Sequence, residues 1–467
     1  MKLQEHQRRV VDTDDNKIVY HSLGSGKTLT GLSAIARAQK ESDKDALFIV
    51  PAPLINNIYK EIDKHNIDID RNRLDVITYD KAVRNIEALS NKARSIVVLD
   101  EAHRVRNTNT KRYQAIREIS KDSDRRLYLT GTPIYSEPSD IGVLINSVSG
   151  ERILPNDKSG FLREYTKETT IKPTLYDKII NGKTDSVEVS LKNSRRLGHI
   201  LNQYVDKYQV STGDEFFPTK IDKTIKVEMG KEHEAVYNYA EDAIPGDLKK
   251  KVRSGAALSR ADMVKLQSFL TGPRLAALGT SYIDKDSDVS SKLDAAVDSL
   301  MSSHLDDTNF KGVVYSNFIS AGLEPYRDRL VDRGVGSKVQ MFTGKMNNAQ
   351  RKDAIDNYNS GAKPILLVSS AGTEGLDLKG TKKIQILEPH FHEEKINQII
   401  GRGARYHSHT HLPKDEQKVD IEHYLSVRSP GILGRIRGET VDEFLHKRYA
   451  KKRELDDQIR DLMASPE

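Results

Sequence analysis

The run Tyr20-His21-Ser22-Leu23-Gly24-Ser25-Gly26-Lys27-Thr28 decides how the rest of the chain is read. A β-branched run, Lys17-Ile18-Val19-Tyr20, leads into it, and Leu29, Leu32, Ile35 and Ala36 follow at helical spacing, so the pattern is strand, loop, helix. Gly24 and Gly26, with Ser25 between them, let the loop turn successive N–H groups inward, and the positive end of the next helix adds to them. That makes a socket for phosphate. Lys27 can reach the β- and γ-phosphates of a nucleotide, and the Thr28 hydroxyl can bind Mg2+. The strict pattern G-x-x-x-x-G-K-[ST] asks for glycine at position 21, where this chain has His21. Taken alone, the stretch also fits a glycine-rich turn that carries a lysine; what lies around it separates the two.

Upstream, Leu3-Gln4-Glu5-His6-Gln7 opens a short helix, and the Gln7 amide can both donate to and accept from an adenine edge. Downstream, short apolar runs alternate with helical patterns. Ala46 to Val50, Asp75 to Thr78, Ser95 to Asp100 and Arg126 to Thr130 read as strands; Leu54 to Lys64, Asp80 to Leu89 and Thr110 to Ile119 read as helices. The alternation predicts an α/β fold with a parallel sheet covered on both faces and chemistry at the carboxyl ends of its strands. Asp100-Glu101-Ala102-His103 falls at such an end. Asp100 there can hold Mg2+ and Glu101 can orient and deprotonate an attacking water. Thr130-Gly131-Thr132-Pro133 ends the next strand, where its hydroxyls can sense the state of the γ-phosphate.

A second alternating series starts at Ser291, with strands at Gly312 to Ser316, up to Phe342, Ile365 to Val368 and Ile384 to Leu387, but without a phosphate loop of its own. Its last helix bears Gln398, Gly401, Arg402 and Arg405, with both arginines expected on one helical face. Arginine stays charged and donates in a planar fork, which suits it to charge developing on a transferred phosphoryl group. Between the two series, about Ser149 to Ser290, the alternation stops. Asn181-Gly182 between the runs Tyr176 to Ile180 and Val187 to Leu191 predicts a hairpin, and Leu197 to Tyr208 reads as a helix.

Phosphate loop, Asp-Glu-Ala-His and Thr-Gly-Thr-Pro, in this order and spacing, resemble motifs I, II and III of superfamily 2 helicases. Val50-Pro51-Ala52-Pro53-Leu54 and Ile77-Thr78-Tyr79 are similar to motifs Ia and Ib, which implies nucleic-acid backbone contacts at Pro51, Thr78 and Tyr79. Ser369-Ser370-Ala371-Gly372-Thr373-Glu374-Gly375-Leu376-Asp377 resembles motif V, implying DNA contacts at Ser369, Ser370 and Thr373 and links to the nucleotide at Gly375 and Asp377. Thr343-Gly344 looks like a further backbone-gripping turn. Gln398-x-x-Gly401-Arg402-x-x-Arg405 resembles motif VI, where both arginines face the γ-phosphate; His103, Thr130, Thr132 and Gln398 take coupling roles. Ser291-Lys292-Leu293 and Glu439-Thr440-Val441-Asp442-Glu443 point to the chromatin-remodeller-like branch, and Gly401 to His409 to the nucleoside triphosphatases of large DNA viruses and related phage helicases. The chain departs from the remodeller pattern at His407-Ser408 and at Glu388. The resemblance implies two RecA-like lobes with an ATP cleft between them, ATP and Mg2+ as cofactors, and backbone contacts to duplex, forked or branched DNA.

The expected organisation is a first lobe over 1–148, a linker or insertion with hairpin and helices over 149–290, a second lobe over 291–438 and a C-terminal helix over 439–467, docked on the second lobe. The chain has 467 residues and a formal net charge of +6, permissive of nucleic acid, and no cysteine, which excludes disulfides and thiolate metal sites. The five histidines from His390 to His411 lack ligand spacing, so a packing or DNA-tuning role is expected rather than zinc. No apolar run approaches the roughly 20 residues of a membrane span. The expectation is a soluble, intracellular, monomeric protein of an infected cell, working with viral replication or transcription proteins. Three functions stay open: a DNA-dependent ATPase that translocates and unwinds or branch-migrates DNA, an ATPase motor of a viral transcription complex without strand separation, and a non-hydrolysing nucleic-acid clamp.

Overall fold

In the computed structural model, residues 3–22, 24–135, 137–171, 186–209, 216–256, 258–370, 376–390, 394–430 and 438–463 are described. The chain forms two compact units. Residues 1–168, 189–211 and 453–467 make up the first, and 169–188 and 212–452 the second.

The first unit is built on a parallel sheet of β1 (Lys17–His21), β2 (Asp45–Val50), β3 (Leu74–Thr78), β4 (Arg94–Asp100), β5 (Ser123–Thr130) and β8 (Val205–Tyr208), in the order β3-β2-β4-β5-β1-β8. Its central strands are continuous apolar runs because both faces are covered. Val97 and Leu99 of β4 join one core with Leu47, Tyr128 and Leu144, whereas Ile96 and Val98 join the opposite core with Phe48, Leu127 and Leu32. β6 (Thr166–Ile171) and β7 (Ser186–Leu191) form a separate two-stranded sheet. Of the predicted hairpin, the run 176–180 and the Asn181-Gly182 turn lie outside the described residues.

The second unit repeats the plan with β9 (Thr219–Glu228), β10 (Gly312–Ser316), β11 (Val339–Phe342), β12 (Ile365–Ser369), β13 (Lys383–Ile386) and β14 (Lys418–Val427), all parallel, in the order β11-β12-β10-β13-β14-β9. Val314, Ile365 and Leu367 face one core, and Val313, Leu366 and Val368 the other. The doubly covered parallel sheets expected of both series are therefore present.

Some elements differ from expectation. The segment Asp80 to Leu89 is two short helices, Tyr79–Arg84 and Ile86–Ser90, parted at Asn85, whose ψ of 31° leaves the helical range. The helix expected over Leu197 to Tyr208 is Ser194–Tyr204; the residues after it become β8, paired with β1 from Ile18↔Val205 to His21↔Tyr208. A β-branched residue at 205 and the partners of Asp206 favour strand over further helix. The C-terminal helix, Val441–Asp461, does not dock on the second unit alone. Phe444 and Leu445 pack with Leu248 and Val252, but Leu455, Ile459 and Met463 enter the core of the first unit. Among the described residues, no helix is long and apolar enough to cross a membrane.

Candidate active site

The phosphate loop joins β1 to helix α2 (Lys27–Glu41) at the carboxyl edge of the first sheet. Gly24 and Gly26 have φ of +83° and +79°, the left-handed region where a Cβ is costly. Gly26 also faces a wall, because a Cβ there would lie 2.6 Å from Gln7 Nε2. Gln7 is buried in helix α1 (Glu5–Val11), and its amide donates to the carbonyls of Ser25 and Gly26, each at 3.4 Å. The expected adenine reader thus sits directly against the loop. Lys27 is buried at the start of α2 and donates from Nζ to the carbonyls of His21 (2.8 Å) and Ser22 (3.0 Å), which places its charge at the mouth of the loop. Thr28 is the next residue of that first turn.

Two strands over, β4 ends on Asp100, which is 5% exposed and accepts from the Glu101 backbone N–H at 3.0 Å. Glu101 sits at φ +53°, a left-handed position that turns the chain sharply out of the strand. His103 is buried with Nδ1 at 3.4 Å from Glu101 Oε2, 3.5 Å from Thr130 Oγ1 and 3.4 Å from Thr132 Oγ1. Its ring stacks on Tyr135 at 4.8 Å, and Arg106 lies over the other ring at 4.2 Å. Burial pushes the His103 imidazole down to about 4 against the pull of Glu101. Near pH 7 it is a neutral hydrogen-bonding bridge between the acid pair and the Thr-Gly-Thr turn. Lys27, Asp100, Glu101, His103, Thr130 and Thr132 therefore share one edge of one sheet, on the strands β1, β5 and β4, which neighbour one another in that order. A loop with no room for a Cβ at Gly26, a buried lysine and a buried carboxylate at the tip of β4 form a donor set that fits ATP and Mg2+.

The residues expected on DNA divide. Pro51 is buried. Tyr79 is also buried and donates its hydroxyl to the Asp100 carbonyl at 2.7 Å, so it braces the acid pair instead of facing a ligand. Thr78 is half-buried and caps the following helix, accepting from Lys81 N at 3.0 Å. In the second unit Thr343, Gly344, Ser369 and Ser370 all lie at the carboxyl ends of β11 and β12. Thr373 and Gly375 lie outside the described residues. Arg402 is in the helix Glu394–Gly403, as is Gln398, but Arg405 is not, so the two arginines do not share a helical face. The Ser408 hydroxyl donates to the Arg405 carbonyl at 2.6 Å and accepts from its N–H at 3.1 Å, which takes the backbone groups a further helical turn would use. Arg405 instead pairs with Asp377 at 3.0 Å. Of the histidines, His409 is buried and bonded to the Thr381 carbonyl and Ser408; among the described residues no group of three or more His, Cys, Asp or Glu could hold a metal.

Sequence reading missed a group behind the loop. His21, at the position that departs from the strict pattern, is fully buried with Nε2 2.6 Å from Asp206 Oδ1. Arg9 clamps the same carboxylate at 2.7 and 3.0 Å. Burial pushes His21 down to about 4 in spite of Asp206, so the ring is neutral and donates Nε2–H. Burial would push Asp206 up, but the bonds from His21 and Arg9 outweigh it and hold the carboxyl below its usual range. The signal in the sequence was His21 itself; nothing marked Asp206.

These sheets and this site define an ATPase of the helicase type. Residues 71–274 match the SNF2-related domain and residues 291–407 the helicase conserved C-terminal domain, and the chain belongs with the SNF2-related, superfamily 2 helicase-like ATPases. The phosphate loop precedes the first matched span, so its assignment rests on its own sequence and geometry. Over 466 residues the chain is 29% identical to a protein of Acanthamoeba polyphaga mimivirus named as a candidate ATP-dependent RNA helicase, L538, covering 97% of this chain and 94% of that protein. It is 24% identical over 552 residues to the termination factor NPH-I homolog of African swine fever virus (isolate Tick/Malawi/Lil 20-1/1983), covering 96% and 75%. Among solved structures it resembles the Hef helicase domain of Pyrococcus furiosus at TM-score 0.51 and 14% identity, covering 90% of this chain and 95% of that one, a likeness of fold between RecA-like lobes.

Proposed function

We propose that this protein is a DNA-dependent ATPase that translocates along DNA and remodels forked or branched duplexes. The observation that carries the proposal is the Glu101–His103–Thr130–Thr132 cluster beside a loop that ends on a buried lysine, within an SNF2-related family member. Glu101 orients the attacking water and takes its proton. Neutral His103 holds Glu101 and the two threonine hydroxyls in one hydrogen-bonded group, so a change at the γ-phosphate reaches the end of β5. Thr28 and Asp100 would hold Mg2+, which when bound offsets charge on the phosphate oxygens. Arg402 and Arg405 are the arginines suited to offset charge developing on a transferred phosphoryl group. Backbone grips at Thr78, Thr343, Gly344, Ser369 and Ser370 make binding independent of base sequence.

The name of the African swine fever virus relative favours a second reading, an ATPase motor of a viral transcription complex that does not separate strands. Steady-state ATP hydrolysis with no polynucleotide, single-stranded DNA, duplex DNA, a four-way junction and RNA tests both. Stimulation by DNA, greatest on the junction, is expected; stimulation by RNA alone, or by nothing without a polymerase, favours the second reading. Lys27→Ala should abolish turnover, and Glu101→Gln should bind ATP with turnover lowered about 100-fold or more; wild-type rates in either would refute the site.

A further inference from the structure

The phosphate loop is tied to a strand that comes from far along the chain. β8 pairs with β1 through to His21↔Tyr208, and the Ser22 N–H donates to the Tyr208 carbonyl at 2.9 Å. Three side-chain contacts reinforce the pairing. His21 donates to Asp206, Arg9 of α1 holds the same carboxylate and the Lys207 carbonyl, and the His6 ring lies flat on Tyr208 at 3.7 Å with 4° between planes. His6 Nε2 is also 3.1 Å from the Ser25 carbonyl, so the ring that stacks on β8 also touches the loop. The helix carrying Gln7, the loop and β8 are thus one bonded body. Lys27 completes it by donating to the carbonyls of His21 and Ser22, the two residues that meet Tyr208. An ammonium that turns to a nucleotide phosphate must give up those carbonyls. That changes the charge beside β8, the strand after which the chain passes into its second unit.

We propose that β8 relays nucleotide occupancy: Asp206 and Tyr208 are positioning residues that hold the phosphate loop through His21 and His6, and the loop's change on binding is passed along this strand. The proposal rests on the reading of the loop as an ATP site. A glycine at position 21, as the strict motif has, would abolish the side-chain half of the link, so this chain has exchanged loop freedom for a connection to β8.

The test uses the full chain and four variants, Asp206→Asn, His21→Gly, the double His21→Gly/Asp206→Asn, and Tyr208→Leu, with KM for ATP, kcat with and without duplex DNA, and melting temperature measured for each. Asp206→Asn should raise KM about tenfold, far more than it changes kcat without DNA, and should reduce the fold-stimulation by DNA. The double variant should be no worse than the worse single, because the two side chains act as one unit. His21→Gly, which restores the strict motif, should weaken ATP rather than improve it. If Asp206→Asn lowers the melting temperature enough to obscure kinetics, Tyr208→Leu, which keeps the strand, must show the same KM rise and lost stimulation. Unchanged KM and DNA stimulation in folded Asp206→Asn and Tyr208→Leu, or additive effects in the double variant, would overturn the relay. Lys27→Ala separates the two levels: if it turns over ATP normally the site reading has failed, whereas an inactive Lys27→Ala beside a wild-type-like Asp206→Asn refutes the relay alone.

Discussion

Glu388 shows what one side chain can add to the behaviour of the second unit. It follows β13 and is 1% exposed, accepting from Ser316 Oγ at 2.8 Å and from the Asn317 N–H at 2.6 Å. Burial raises its carboxyl to about 7, although Arg274, those two donors and Lys292 all pull it down. The native state therefore keeps this proton to a higher pH than the unfolded chain, where glutamate titrates near 4.3. Stability from this group is fully present at acid pH and is lost as pH rises towards about 7, by about 4 kcal/mol in full. Denaturant unfolding at a series of pH values should show that decline, and Glu388→Gln should flatten it; a variant with the native slope would refute the assignment. From the sequence, Glu388 stood out only as a departure from an aspartate pattern. Local reading could see motifs such as Asp100-Glu101 because each lies in consecutive residues at a strand end. It could not see that Tyr79 braces Asp100, or that His21 meets Asp206, since burial and partners lie across the fold.

The helices Ser291–Asp306 and Val441–Asp461 are joined in their first turns by Lys292 and Asp442, both fully buried and 2.5 Å apart. Asp442 Oδ2 also accepts from the Ser426 N–H of β14 at 3.0 Å, so one carboxylate holds two helices and a strand. Removing one partner leaves a buried charge without its counterion, and Lys292→Met or Asp442→Leu should each cost about 3–5 kcal/mol. The double Lys292→Met/Asp442→Leu should cost clearly less than the sum, measured by chemical unfolding; additivity would show that the two groups do not act as a pair. Element types were legible wherever an apolar run was long and buried on both faces, as in β4 and β12. They failed where local pattern and tertiary pairing disagreed. Leu197, Ile200, Leu201 and Tyr204 continue into Val205 at helical spacing, yet an open edge at β1 converts the residues after Tyr204 to strand. The apolar marks of the last helix were legible, but not that Leu455 and Ile459 serve a different core from Phe444.

At the scale of the whole molecule, a formal net charge of +6 is modest, so affinity for DNA should come from a few phosphate contacts rather than a broad basic field. Raising salt from 50 to 200 mM should weaken DNA binding about 100-fold, while changing base sequence at fixed length should alter it little. A flat salt profile would argue against backbone grips. The two-lobe plan was legible because each lobe repeats strand and helix along the chain, whereas the assembly of each unit from separated segments was not. That assembly has a consequence for synthesis. The edge of the first sheet stays open at β1 until residues 205–208 have been made, and its core lacks Leu455, Ile459 and Met463 until later still. A nascent chain on the ribosome must therefore carry a first unit whose core is still incomplete through the translation of residues 212–452, and the unit begun first is the one finished last.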